Sequence, residues 1–367
     1  MTDDPSLSAH ASVSADLLPF QPLRATRSGD VALDLGTTAF RSLRRDGSRL
    51  VARREAAAYT VVPGCRESEQ LLRDAGVPFS RTDAGLVVAG EAALHLARSF
   101  ESPVVPLLPG GEIPKGDPVG RQVAAMLLDA VLGDRDSLRG RICLMTVPGS
   151  PGVSESTASL RFFTQLVSLA GLTPQVMHAG SAAAAAAFAH IGLRGIGVSF
   201  GAAHVDIGLI VRGYETGWHR IPIGGDTIDA RLIDDHAAYL HNRHGHRFPD
   251  FLAVREWKES PARSLLADDP TGRTLAEGYG DLALSAATAV GDLLSMHREA
   301  GPVRPLALVS TGGPTGISGF DALWEAALRQ ANVLERLDRT ERTADREYEV
   351  ARGLLLLTEA GVRRAAA

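Results

Sequence analysis

Short apolar runs alternate along the chain with longer stretches whose apolar residues recur three or four positions apart. Val31-Ala-Leu-Asp-Leu35 is the first run, and Gly36-Thr37-Thr38 closes it, which predicts a strand and a tight turn. From Arg53 to Arg98 the pattern predicts short strands and turns, then a helix from about Glu91. The Pro- and Gly-rich stretch from Pro103 to Pro118 predicts irregular backbone. Val123, Leu127 and Ala130 predict a helix over Val119–Leu132. Arg141–Val147 is a nearly continuous apolar run, as for a strand buried on both faces, and Pro148-Gly149 ends it. Leu160, Phe163, Val167 and Ala170 then predict a helix with Gly171 placed to cap it. A brief strand at Val176-Met177 and an Ala-rich helix over Ser181–His190 follow.

The second half repeats the theme. Two β runs flank Gly201-Ala202-Ala203, and the alternation of Val205, Ile207, Leu209 and Val211 predicts a hairpin over Gly197–Val211. Gly224-Gly225-Asp226 opens a helix toward Tyr239, and a His- and Arg-rich connector covers His241–Arg247. A helix carrying Glu256 and Lys258 and a long helix over about Asp281–Arg298 come next. The strand Leu306–Val309 ends in Thr311-Gly312-Gly313-Pro314, and a further helix starts near Ser318. Alternation of strand and helix predicts α/β layers. A strand that runs into a glycine turn occurs in both halves.

Those turns are the candidate chemistry. A phosphate chain needs backbone N–H groups brought close with no side chain in the way, which glycine and small hydroxyl residues at a strand end provide. Taken singly, Gly36-Thr37-Thr38, Gly224-Gly225 and Gly312-Gly313 each read equally as plain structural turns. Composition narrows the field. A net charge of -5 leaves no basic excess for nucleic acid or an anionic membrane. Cys65 and Cys143 are the only cysteines, which argues against a disulfide framework or a Cys-rich metal site. With no long apolar stretch and no basic leader, the expectation is a cytoplasmic protein.

In their order along the chain, the turns resemble the actin-like ATPase superfamily, which includes actin, MreB and the nucleotide domain of DnaK-type chaperones. Asp34-Leu-Gly-Thr-Thr38 resembles its first phosphate loop, and Ser199-Phe-Gly-Ala-Ala-His-Val-Asp206 its second. Gly224-Gly-Asp-Thr-Ile-Asp229 is similar to the segment that follows, and Val309-Ser-Thr-Gly-Gly-Pro314 to the adenosine-binding turn. Ser181–Ala185 is similar to the small-residue helix between lobes, and Tyr348–Ala360 to the closing helix. The resemblance spans roughly residues 29 to 362 and implies two ribonuclease-H-like α/β lobes around a nucleotide cleft. It divides the chain into a flexible tail (1–28), a first lobe (29–178), a second lobe (179–345) and a helix returning to the first lobe (346–367). It implies ATP or ADP held by Gly36, Thr37, Thr38, Gly201, Ala202, Ala203, Gly224, Gly225, Glu256, Lys258, Gly312 and Gly313, with Mg²⁺ near Asp34 and Asp206.

Departures from the pattern fall on the chemistry. Ser199 stands where the family has a metal-organising Asp, Ala202 and Ala203 replace glycines, and Ala179-Gly180-Ser181 lacks the water-positioning Glu. The chaperone's phosphate-contacting Lys maps to Leu94, and its adenine-stacking Arg to Gly316. His204 is either a phosphate contact or a solvated hairpin residue, and Glu256 and Lys258 read equally as a charged solvent face. The segment between Lys258 and Leu306 is short for the family, which predicts a monomer or small oligomer, with at most weak self-association. The resulting expectation is a nucleotide-dependent switch or scaffold with an unknown protein partner and weak or absent hydrolysis. The alternatives are a slow ATPase forming MreB-like filaments, an interaction module without nucleotide, and a sugar or acetate kinase.

Overall fold

The computed structural model describes residues 29–134, 136–149, 158–241, 245, 247–299 and 305–360. The predicted tail, part of the His241–Arg247 connector and the last seven positions lie outside the described residues.

Two five-stranded sheets of one topology form the two lobes. In the first lobe β1 (Val31–Leu35), β2 (Ala39–Asp46) and β3 (Arg49–Ala56) make an antiparallel meander. Next come β4 (Ala58–Val62), α1 (Arg66–Asp74), β5 (Ser80–Thr82), β6 (Gly85–Ala89), α2 (Glu91–Ser99) and β7 (Val105–Pro106). These four strands form a separate small sheet, in the order β5-β6-β4-β7. After α3 (Pro118–Leu132), β8 (Ile142–Thr146) returns parallel to β1, and α4 (Ala158–Leu169) leads to β9 (Thr173–Val176). The main sheet therefore reads β3-β2-β1-β8-β9.

The second lobe repeats this plan. After α5 (Ala179–Phe188), β10 (Gly195–Phe200), β11 (Val205–Val211) and β12 (Tyr214–Ile221) form the meander. Then come α6 (Gly225–His236), the hairpin β13 (Tyr239–His241) and β14 (Arg247–Pro249), α7 (Phe251–Lys258) and α8 (Pro270–Glu299). Finally β15 (Leu306–Thr311) lies parallel to β10, followed by α9 (Phe320–Gln330), β16 (Leu337–Arg342) and α10 (Glu349–Glu359). The sheet order, β12-β11-β10-β15-β16, matches that of the first lobe.

Each lobe's last helix crosses to the other lobe. α5, which follows β9, packs on β10 and β11, whereas α10, which follows β16, packs on β1, β2 and β8. The two helices also pack on each other, so they form the shared layer between the sheets. Small residues make this possible. Ala182 to Ala185 are all fully buried, and a Cβ on Gly180 would lie 2.5 Å from Gly208 N and 2.6 Å from both Asp206 O and Gly197 O. A Cβ on Gly353 of α10 would run into the Ala182 carbonyl. Each lobe has its own apolar core, Phe40 and Phe163 in the first and Phe200, Tyr279 and Phe320 in the second.

Candidate functional site

The parallel central strands of both lobes end at one cleft, of about 1310 Å³. Because β1 and β10 hold equivalent places, Asp34-Leu35-Gly36 and Ser199-Phe200-Gly201 occupy equivalent strand ends on opposite walls. Behind them, Thr146 of β8 is in register with Asp34 and Thr311 of β15 with Ser199. Strand pairing brings six predicted site residues from the two loops to the cleft wall: Asp34, Gly36, Thr37, Thr38, Gly201 and Ala202. Asp206, Gly225, Glu256, Lys258, Gly312 and Gly313 also line it. Ala203 and Gly224 do not appear on that wall.

The glycines serve two purposes. A Cβ on Gly224 would strike the Ala202 carbonyl, and one on Gly312, whose φ is 105°, would strike the Phe200 carbonyl. A Cβ on Gly201 would lie 2.7 Å from His204 O. These three are demanded by close backbone approach. Gly313 faces open space, with nothing within 4 Å of its Cβ direction, so its backbone is presented to the cleft.

The two carboxylates expected beside the metal, Asp34 and Asp206, both have cationic neighbours. Asp34 accepts a hydrogen bond from Thr146 Oγ1 at 2.7 Å and lies 3.5 Å from Arg41 Nη1, its cross-strand partner. Burial raises its carboxyl above the ordinary range, only partly countered by Arg41 and Thr146. Asp206 is gripped from its own cross-strand partner, Arg220, whose Nε lies 2.5 Å from Oδ1 and Nη2 2.9 Å from Oδ2. Burial works to raise Asp206 too, but the charges of Arg220 and His204 outweigh it and hold the carboxyl well below its ordinary range. His204 Nε2 is 3.5 Å from Asp206 Oδ2, and its buried Nδ1 has no hydrogen-bond partner among the described residues.

Glu256 and Lys258, predicted to hold nucleotide, differ from one another. Lys258 is 4% exposed, ion-paired with the fully buried Asp229 and bonded to Gly225 O at 3.3 Å. Glu256 is an exposed side chain at the cleft mouth, 2.5 Å from Arg98 of α2, so it ties one lobe to the other. Arg255 joins the Lys258 cluster through Asp226 at 3.0 Å.

The structure also places three positions at which the sequence departs from the family pattern. Ala179, not Gly180, is the residue of its segment that lines the cleft, and Gly180 sits against the β10–β11 backbone with no room for any side chain. Gly316 leaves a space that the guanidinium of Arg346 fills, and Arg346 also lines the cleft. Leu94 lines the cleft from α2, where a lysine would bring charge. Sequence reasoning missed Arg41, Arg220 and Arg346. The first two were recoverable as opposite charges across a strand pair, but only once β2 and β12 had been recognised.

Among solved structures, the chain resembles a MamK double helical filament, with a TM-score of 0.66 at 18% identity over 91% of this chain and 99% of that one. It is also similar to MreB 5 of Spiroplasma citri bound to AMPPNP, with a TM-score of 0.59 at 16% identity over 89% of this chain and 94% of that one. At these identities the likeness shows the fold, which is the actin-like bilobed fold. No curated protein sequence matches the chain. The sequence profile of one family does match, over residues 30–357, and the chain belongs to that family, Volactin.

Proposed function

We propose that the cleft binds ATP or ADP, and that the chain acts as a nucleotide-dependent switch or scaffold with weak or absent hydrolysis. The observation that carries this reading is the pair of strand-end turns on opposite walls, Gly36–Thr38 in one lobe and Gly312-Gly313 in the other. A ligand with a phosphate chain and a base spans such a cleft and holds both lobes, with Gly313 and the two threonines offering backbone and hydroxyl groups. Among the structures of this fold, MreB5 of Spiroplasma citri was solved with AMPPNP and with ADP, and a non-polymerising MamK mutant with AMPPNP. Slow hydrolysis follows from the walls. Ser199 and Ala179 offer no carboxylate to orient water, and Leu94 offers no cation to the phosphates.

A second reading is nucleotide-linked self-association into filaments. It is favoured by the MamK filament subunit, 99% of which aligns with this chain, and it stands against the monomer or small oligomer expected from the short Lys258–Leu306 segment. Among the described residues no helix is long and apolar enough to cross a membrane. A cytoplasmic site of action and an unidentified protein partner complete the proposal. Calorimetric titration with ATP and with ADP tests it: one saturable site per chain is expected, and no binding at millimolar nucleotide overturns it. Light scattering of the same samples separates the switch from the filament.

A further inference from the structure

Proteins of this fold are expected to hold a divalent cation beside the phosphates, yet the cleft floor of this chain does not suit one. Only Asp34 and Asp206 were expected to take it. Both oxygens of Asp206 are engaged by one guanidinium fork, at 2.5 and 2.9 Å. A bidentate arginine is the strongest partner a carboxylate finds among side chains, and arginine keeps its charge at any pH the fold survives.

That guanidinium is itself fixed from behind. Arg220 Nη1 donates to Gly149 O and Nη2 to Val147 O, both at 3.2 Å, in the segment that follows β8 of the first lobe. The pair is buried, at 9% exposure for Arg220 and 4% for Asp206. Transferring Asp206 to a metal ion would leave a buried guanidinium with only neutral carbonyls. Asp34 is held less tightly, by a hydrogen bond from Thr146 to one oxygen and by Arg41 at 3.5 Å from the other. Ser199, across the hairpin from Asp206, adds a hydroxyl and not the charged oxygen that a hard cation prefers. Among the described residues no group of three or more His, Cys, Asp or Glu is placed to hold a metal ion.

We propose that Arg220 takes the place of the divalent cation at Asp206, so that the cleft binds nucleoside di- and triphosphates as tightly without a divalent metal ion as with one. The proposal rests on the nucleotide reading above. Wild-type protein is titrated with ADP and ATP, once in excess Mg²⁺ and once in excess EDTA. The two dissociation constants are expected to agree within about threefold, and tighter binding in Mg²⁺ by about tenfold or more overturns the proposal. No binding in either buffer removes the nucleotide reading and this inference with it, whereas binding in Mg²⁺ alone removes only the inference. Electron paramagnetic resonance of Mn²⁺ added to the nucleotide-free protein is a second check. The signal is expected to stay that of free Mn²⁺, and loss of it to a stoichiometric protein site would overturn the proposal. R220Q, which frees Asp206, is expected to make nucleotide binding depend on Mg²⁺. A folded R220Q protein that still binds equally well in EDTA would show that Arg220 is not the cause.

Discussion

The seam between the two lobes can be tested at one atom, by Gly180→Ala. The added Cβ would lie 2.5 Å from Gly208 N and 2.6 Å from Asp206 O and Gly197 O, all of them backbone atoms of the β10–β11 hairpin. None of these can swing aside as a side-chain end can, so α5 or the hairpin must move by about an ångström to reach an ordinary contact. Overpacking of this kind costs about 3 kcal/mol, the upper part of the usual range. Replacing glycine by alanine in a helix returns at most about 1 kcal/mol. The packing term wins, leaving a net loss of about 2 kcal/mol. For a chain of 367 residues that lowers the melting temperature by about 3 °C. Gly313→Ala is the control, because its Cβ direction is open. Its stability is expected to stay within about 0.5 kcal/mol of wild type, while its nucleotide affinity falls. Differential scanning calorimetry of the three proteins decides the matter. A Gly180→Ala protein that melts at or above the wild-type temperature would show that α5 is not seated on the hairpin.

Asp34→Asn keeps an oxygen for Thr146 and removes a buried charge. Because burial holds the Asp34 carboxyl above its unfolded value, the wild-type fold takes up a proton more readily than the unfolded chain, and this penalty is present at neutral pH and relieved on acidification. Asp34→Asn is therefore expected to melt higher than wild type at pH 7, with the gap narrowing as pH falls toward the ordinary carboxylate range; a gap independent of pH would contradict this. Ser199→Asp combined with Ala179→Glu restores carboxylates at two positions that line the cleft, and phosphate release from ATP is expected to rise by about tenfold or more, short of the roughly hundredfold or greater gain of ideally positioned acid–base groups. No increase, in a protein that still binds ATP, would show that the missing carboxylates do not limit the rate.

The most legible parts of this fold were those buried on both faces. Val31–Leu35 and Leu306–Val309 read as strands because burial on both sides demands continuous apolar residues, and both are strands. Apart from the largely buried β2, whose apolar Phe40 and Leu43 are separated by Arg41 and Ser42, the strands that escaped notice lie nearer solvent. β3, Arg49–Ala56, is an edge strand exposed along most of its length, so its Arg-rich sequence carries no alternation. β16, Leu337–Arg342, is likewise an exposed edge, and β13 and β14 are only three residues each. α1 was hidden by its polar composition, with only Ser68 and Leu72 buried. The site was legible as loops and not as charges. Gly36–Thr38 and Gly312-Gly313 announce themselves by residue type, but Arg220 meets Asp206 only through the β11–β12 register. Gly180 illustrates the opposite limit. Position along the chain put the missing carboxylate within Ala179-Gly180-Ser181, and only the folded helix shows that Ala179 is the one of the three that lines the cleft.

Hydrogen exchange of the wild-type protein with and without ATP tests the central claim most directly, because it reads the backbone groups the account assigns. Saturating ATP is expected to slow exchange together in segments containing Gly36–Thr38 of the first lobe and Gly312–Thr315 of the second, the turns that face each other across the cleft. Unchanged exchange in both segments, or protection confined to one lobe, would contradict a nucleotide held between them.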